Sequence, residues 1–320
     1  GQASPGYQES VITMPQPQIV CMGEPMIEFN QTGAEGHYLR GHGGDVSNCA
    51  IAAARAGAST GMVTALGRDE FGDEMMRLWA ENGVDAARVI RNGQAHTGIY
   101  FVSHGEAGHS FSYLRAGSAA SRYSPADVPH DYIAGARILH ASGISLAISD
   151  SACDAVFEAI AAARAAGVLV SFDTNLRLRL WPLERARALI EAAMKSADIA
   201  LPGLEDAEQL LGLSDPDRIA DHYLAAGAKI VALTLGSKGC LVATPDERRH
   251  VAGIPVEAID ATGAGDTFDG NFLAELLRLG DPFAAARYAN AAAALATKGH
   301  GAVAPMPRRA EVEAFLAAHA

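Results

Sequence analysis

The chain has 320 residues, 49% hydrophobic and 19% charged, the composition of a folded globular protein and not of a disordered one. Its formal charge of −12 repels phosphate backbones and anionic membranes, so nucleic acid and membrane are poor partners. No apolar stretch reaches the roughly 18 residues of a transmembrane helix, and an acidic protein that handles an anionic nucleotide must build a local pocket from backbone N–H groups, a few cations and a divalent ion.

Residues 1–16 carry neither a signal-peptide pattern nor an amphipathic repeat and are expected to form a disordered terminus ahead of one folded unit over 17–320. From residue 18 onward, short β-branched runs alternate with longer alanine-rich stretches, the pattern of a parallel sheet covered by helices. Strands are expected at 18–22, 60–66, 136–141, 168–172, 199–201 and 229–235, and helices at 46–55, 70–82, 150–166, 183–195 and 217–226. Several of these helices stop at a glycine. Residues 26–39 and 97–115 break the rhythm. With the turn Gly105-Glu106-Ala107-Gly108, they read as antiparallel strands outside the main sheet, either a lid over a site or an edge extension. Two alanine-rich helices, 263–279 and 282–296, precede a turn at Pro305 to Pro307 and a terminal helix. Cys21, Cys49, Cys153 and Cys240 lie far apart in apolar runs and read as buried free thiols in a reducing, cytoplasmic setting.

The segment Asp260-Ala261-Thr262-Gly263-Ala264-Gly265-Asp266 carries the sharpest chemistry. Small residues opening a helix leave its first N–H groups bare, and the helix dipole adds positive potential, so an anion fits there. Asp266 is either a first-turn acid that complements the dipole or an acceptor for a hydroxyl proton beside a phosphoryl cradle. A dinucleotide fold would place a glycine where Phe268 stands, and no Gly-x-x-x-x-Gly-Lys-Ser/Thr loop occurs, which argues against both nucleotide-binding alternatives. The second segment, Gly43-Gly44-Asp45-Val46-Ser47-Asn48-Cys49-Ala50, permits close approach of a ligand to its glycines, with Asp45 able to cap the helix that follows.

Together the two segments resemble the signatures of the ribokinase, or PfkB-type, carbohydrate kinases. Gly43, Gly44, Asn48 and Ala50 match the Gly-Gly-x-x-x-Asn-x-Ala pattern, and Asp260, Thr262 and Gly263 to Asp266 match Asp-x-Thr-Gly-Ala-Gly-Asp. The resemblance covers nearly the whole chain from Gln18. It implies an α/β fold, ribokinase-like, with three α/β/α layers, a mostly parallel central sheet and a small β-sheet lid through which copies of the chain would associate. It also implies ATP and Mg²⁺, with Asp266 as general base and the amides of Gly263, Ala264 and Gly265 as anion hole; K⁺ near Asp260 stays open. Thr234, Gly236, Ser237, Lys238 and Gly239 look like the family's ATP segment, Asn290 borders the adenine, and Asn175 falls on the nucleotide side. The metal residue would be Asp206, since Gly203 to Asp206 stands where many relatives carry Asn-x-x-Glu.

Two further stretches, 111–120 and 172–181, are similar to segments of the 2-keto-3-deoxygluconate kinases. A keto-deoxy sugar acid carries a carboxylate that a planar guanidinium pairs well. The resemblance therefore points to Arg115 and Arg177 as its readers, with Tyr100 and Tyr113 beside them, Glu28 on the sugar hydroxyls, and Arg179 left on the surface. The expected reaction is ATP-dependent phosphorylation of 2-keto-3-deoxy-D-gluconate at its primary hydroxyl. A fructokinase-like enzyme and a non-catalytic sensor of the same fold are the alternatives.

Overall fold

A computed structural model describes residues 16–33, 36–105 and 108–319. The expected terminus 1–16 lies outside these except for Gln16, whose side-chain amide donates to the Tyr132 carbonyl at 2.7 Å.

The β-branched runs pair as expected into a nine-stranded sheet in the order Arg248–Ala252, Gly239–Ala243, Ile230–Thr234, Ile199–Leu201, Leu169–Asp173, Ile138–Ser142, Ile19–Met22, Thr60–Val63 and Val84–Asp85. From Ile230–Thr234 onward every pairing in that order is parallel. The first two strands join antiparallel, because only the short turn Gly236–Lys238 separates Ile230–Thr234 from Gly239–Ala243, and a connection that short can only fold back. Helices cover both faces. One core layer packs beneath Asp150–Ala165, Leu183–Met194, Leu204–Leu211 and Pro216–Ala226. The other packs beneath Asp45–Arg55, Glu70–Glu81, Ala264–Leu279 and Pro282–Ala296. The expectation of three α/β/α layers holds.

Four expectations change. The run 60–66 breaks at Thr64 into Thr60–Val63 and Ala65–Gly67. The helix Leu204–Leu211 and the hairpin Gly239–Ala243 with Arg248–Ala252 were not among the expected elements. The lid is a separate four-stranded sheet, Tyr38–Gly43, Met26–Gln31, Ile99–Gly105 and Gly108–Leu114, but its two central strands run parallel. Both of those strands leave the body in the same direction, after Glu24 and after Gly98, so antiparallel pairing is confined to the two outer hairpins. Of the expected turn 105–108, residues 106 and 107 lie outside the described residues.

All four cysteines are free and buried. No helix among the described residues is long and apolar enough to cross a membrane.

Candidate active site

The carboxyl ends of the parallel strands, where open α/β sheets place their ligands, gather the singled-out residues. Gly263 is the N-cap of Ala264–Leu279 in the left-handed region, φ 73°. Its carbonyl accepts from Thr267 N at 2.9 Å, while Ala264 N donates to Ala261 O at 3.1 Å. The Ala264 amide is spent inside the loop, while Gly265 and Asp266 carry first-turn amides without an intrahelical acceptor. Asp260 holds the loop by accepting from Thr262 N and Gly301 N, both at 2.9 Å. Although burial raises its pKa, these bonds hold the carboxyl below the usual carboxylate range.

Asp266 faces the helix Asp45–Arg55. Asn48 donates its amide to Asp266 Oδ2 at 2.8 Å, so the two signature segments, 218 residues apart, meet side chain to side chain. Burial first, and the Asp45 charge second, push the Asp266 carboxyl up to about 7, against the pull of Asn48 and Arg177. A carboxylate with a pKa near neutrality is well matched to accept a proton from a hydroxyl as its oxygen attacks.

Asp45 belongs to a buried polar network that the cap reading did not include. It accepts from the Ser142 hydroxyl, from Asn175 Nδ2 at 2.8 Å and from its neighbour's amide, Val46 N, at 2.9 Å. Asn175, expected on the nucleotide side, is buried at φ 26° with its amide turned inward to Asp45. Such a backbone costs about 1–3 kcal/mol in a residue other than glycine, and the bond to Asp45 is what the strained turn secures. Asp173 and Asp269 meet behind Asp266. Burial first, and the neighbouring carboxylates second, raise both pKa values.

Asp206 turns its Oδ2 onto Thr174 Oγ1 and Leu176 N, both at 3.0 Å, which anchors the loop that carries Asn175 and Arg177. Arg177 is exposed and donates to the Leu176 carbonyl at 2.9 Å. Its charge reaches both Asp206 and Asp266.

From the lid, Tyr100 donates to Glu28 Oε2 at 2.6 Å, and Tyr113 lies 5.7 Å from the Tyr100 ring. A Cβ at Gly43 would come within 2.5 Å of the Tyr100 hydroxyl, which is the physical reason for glycine there. Gly44, at φ 105°, turns the chain from the lid into the helix. Arg115, expected to be a free carboxylate reader, is already paired: its Nη2 lies 2.6 Å from Glu24 Oε2. Glu24 is wholly buried and was not foreseen. Arg179, left on the surface, stacks on lid residue Phe111 with its guanidinium 5.0 Å from the ring centre.

In the segment expected to meet ATP, Gly236, Ser237 and Lys238 form an exposed turn after the half-buried Thr234. Gly239 is buried, and a Cβ there would clash with the Val251 carbonyl. Asn290 donates to Val251 O at 3.0 Å and Ala252 O at 3.3 Å.

The family model described as pfkB family carbohydrate kinase matches residues 16–309. The chain belongs to the PfkB carbohydrate kinase family. The 2-dehydro-3-deoxygluconokinase of Thermoproteus tenax is 35% identical over 305 residues, 92% of this chain and 93% of that protein. A probable fructokinase-4 of Arabidopsis thaliana is 33% identical over 323 residues, 93% of this chain and 96% of that protein. The solved fructokinase of Xylella fastidiosa with bound ATP superposes at a TM-score of 0.87 with 27% identity, covering 94% of this chain and 98% of that one. The PfkB chain is thus a sugar kinase, a phosphotransferase with an alcohol acceptor.

In this PfkB kinase the pH dependence should follow Asp266. If Asp266 is the proton acceptor it works only when ionised, so kcat/KM is expected to rise with pH through about 7. Asp45→Asn removes the adjacent charge but not the burial, and the acid limb should then move down by on the order of half to one pH unit. A pH–rate profile checks this, and an unmoved limb would break the link between the two carboxylates. Linkage has the same sign. A carboxyl raised from about 4 to about 7 favours the folded state below its unfolded pKa, and that stability is lost as pH rises to about 7.

Proposed function

We propose that this kinase transfers the γ-phosphoryl group of ATP to the primary hydroxyl of 2-keto-3-deoxygluconate, with Asp266 as general base. The observation that carries the reading is the convergence of Asp266, held by Asn48, with the bare helix amides and the Arg177 charge. The hydroxyl oxygen attacks the γ-phosphorus and its proton passes to Asp266. The bond to the bridging oxygen breaks, and ADP leaves. The amides of Gly265 and Asp266 supply fixed dipoles for the phosphoryl oxygens, where charge stabilisation is the main demand of the reaction.

Among the described residues no three His, Cys, Asp or Glu side chains are grouped to hold a metal. Asp206 spends only Oδ2 on its loop, a donor set that fits Mg²⁺ carried mainly by the nucleotide phosphates, with Asp206 as the protein's contribution. When bound, Mg²⁺ neutralises phosphate charge.

Arg177 supports the sugar acid as substrate. Arg115 can still offer hydrogen bonds, but Glu24 cancels its charge, so Arg177, which forms no ion pair among the described residues, supplies the positive charge for a carboxylate. The same pairing, together with the Glu28 carboxylate on the lid, favours a second reading, a neutral ketose as substrate in the manner of a fructokinase. Steady-state kinetics on both sugars separate the two. With the keto acid as substrate, Arg177→Ala should raise its KM about tenfold or more and leave fructose kinetics unchanged. Equal losses on both sugars would assign Arg177 to the phosphates, and a higher kcat/KM on fructose would overturn the sugar-acid reading.

A further inference from the structure

The lid joins the body at four crossings, and one buried residue stands at all of them. Glu24 itself lies between the core strand Ile19–Met22 and the lid strand Met26–Gln31. At the second crossing Gly44 follows Tyr38–Gly43, and a Cβ there would come within 2.6 Å of the Glu24 carbonyl oxygen. At the third, Gly98 precedes Ile99–Gly105, and its added Cβ would lie 2.7 Å from Glu24 Oε1. At the fourth, Arg115 follows Gly108–Leu114 and puts Nη2 2.6 Å from Glu24 Oε2. Ser118, just beyond, donates to Glu24 Oε1 at 3.0 Å. The side-chain exposures are 0% for Glu24 and 12% for Arg115.

A buried ion pair contributes little net stability against an apolar replacement, because desolvation offsets the attraction. Its value lies in geometry: a carboxylate with a guanidinium on one oxygen and a hydroxyl on the other has one low-energy orientation. Here that orientation sets the angle at which the lid leaves the body. The lid in turn presents Tyr100 and Glu28 toward Asp266. Tyr100 lies close enough for the Asp266 charge to act on its hydroxyl, and with Asp266 and Glu28 nearby, burial raises the Tyr100 pKa.

We propose that Glu24 is a positioning residue for the phosphoryl transfer, acting through Arg115 to fix the lid over the acceptor site. This rests on the kinase reading only in taking the acceptor to lie beneath the lid. The role differs from that of the catalytic residues, since Glu24 is shut away from any ligand. It also explains why an arginine that resembles a substrate reader arrives already paired. The pair holds Arg115 in one place, without the cost of ordering a free side chain when substrate binds.

The test uses Glu24→Gln, Arg115→Gln and the double variant in the full-length chain. Glutamine at 24 retains the size and the Ser118 bond, glutamine at either position removes one charge, and the double variant leaves no charge unpaired. Each single variant should raise the KM for the sugar about tenfold or more with the KM for ATP changed less than about twofold. If Glu24 acts through Arg115, the double variant should lose no more than the worse single one. Amide hydrogen exchange in Met26–Gln31 and Ile99–Gly105 should quicken about tenfold or more, with Ile138–Ser142 unchanged. Additive kinetic losses, equal acceleration in lid and core, or an unchanged sugar KM would overturn the proposal. Should Glu24→Gln not fold, Arg115→Gln alone decides by the exchange pattern. That arm needs no turnover, so it also stands if no sugar tested proves to be a substrate.

Discussion

Asp266→Asn is expected to lower kcat by about 10²- to 10⁴-fold with little change in the KM for ATP. Asparagine has nearly the same shape, and its carbonyl oxygen can accept the Asn48 amide that now reaches Asp266 Oδ2. The helix start and its bare amides are backbone, so they survive the change. What disappears is the only property that shape cannot supply, an anionic acceptor whose proton affinity is poised near pH 7 by burial and by Asp45. Loss of an anion among Asp45, Asp173 and Asp269 also relieves repulsion, so the variant should be no less stable to heat than the parent above pH 7. A stable protein with collapsed kcat separates loss of the base from loss of the fold. Retention of most of the kcat would assign Asp266 to the helix dipole and remove it from the chemistry.

Helix positions were legible because alanine-rich segments with Pro or Asp at the start carry their boundaries in local chemistry: Pro282–Ala296 falls on its expected residues, and Asp45–Arg55 differs by one. The lid was legible as strands, but its parallel centre was not, since pairing direction depends on where the body releases each strand. Site chemistry divides the same way. Asp266 and Asn48 stand out by spacing. Glu24, in contrast, looks like an ordinary acid after a strand, and only the fold reveals that Gly44, Gly98 and Arg115 close around it. Asn175 and Asn290 are expected beside the nucleotide because they fall in or near segments that resemble its site. The partners of their amides, a carboxylate and a carbonyl brought close by tertiary packing, are not legible in the sequence. A buried Asp at a helix start reads as a cap until the strand ends that meet it are known; here Gly44 is the N-cap and no side chain caps the helix, while Asp45, its first residue, answers Ser142 and Asn175 instead.

Gly263→Val should reduce kcat/KM by about 10²-fold or more, and the contrast with Gly265→Ala shows why. At Gly263 the backbone sits at φ 73° and an added Cβ would lie 2.8 Å from the Ala302 Cβ and 3.1 Å from its Cα. A β-branched residue is disfavoured at such φ, and the Ala302 backbone cannot yield as a flexible side chain would. Relief of the strain must rotate the peptide that aims the first-turn amides, so both catalysis and thermal stability should fall. Gly265 presents the opposite case: its φ is ordinary, and an added Cβ meets nothing within 4 Å. Gly265→Ala should therefore leave the melting temperature within about 2 °C of the parent. If the open space beside Gly265 is where phosphate approaches the backbone, the same substitution should still lower kcat/KM for ATP, because the methyl group stands in the ligand's path. Thermal melts and steady-state kinetics on the two variants decide the matter. Undiminished kcat/KM in Gly265→Ala would move the phosphates away from that amide, and undiminished kcat/KM in Gly263→Val would reduce the left-handed glycine to a helix-start convenience.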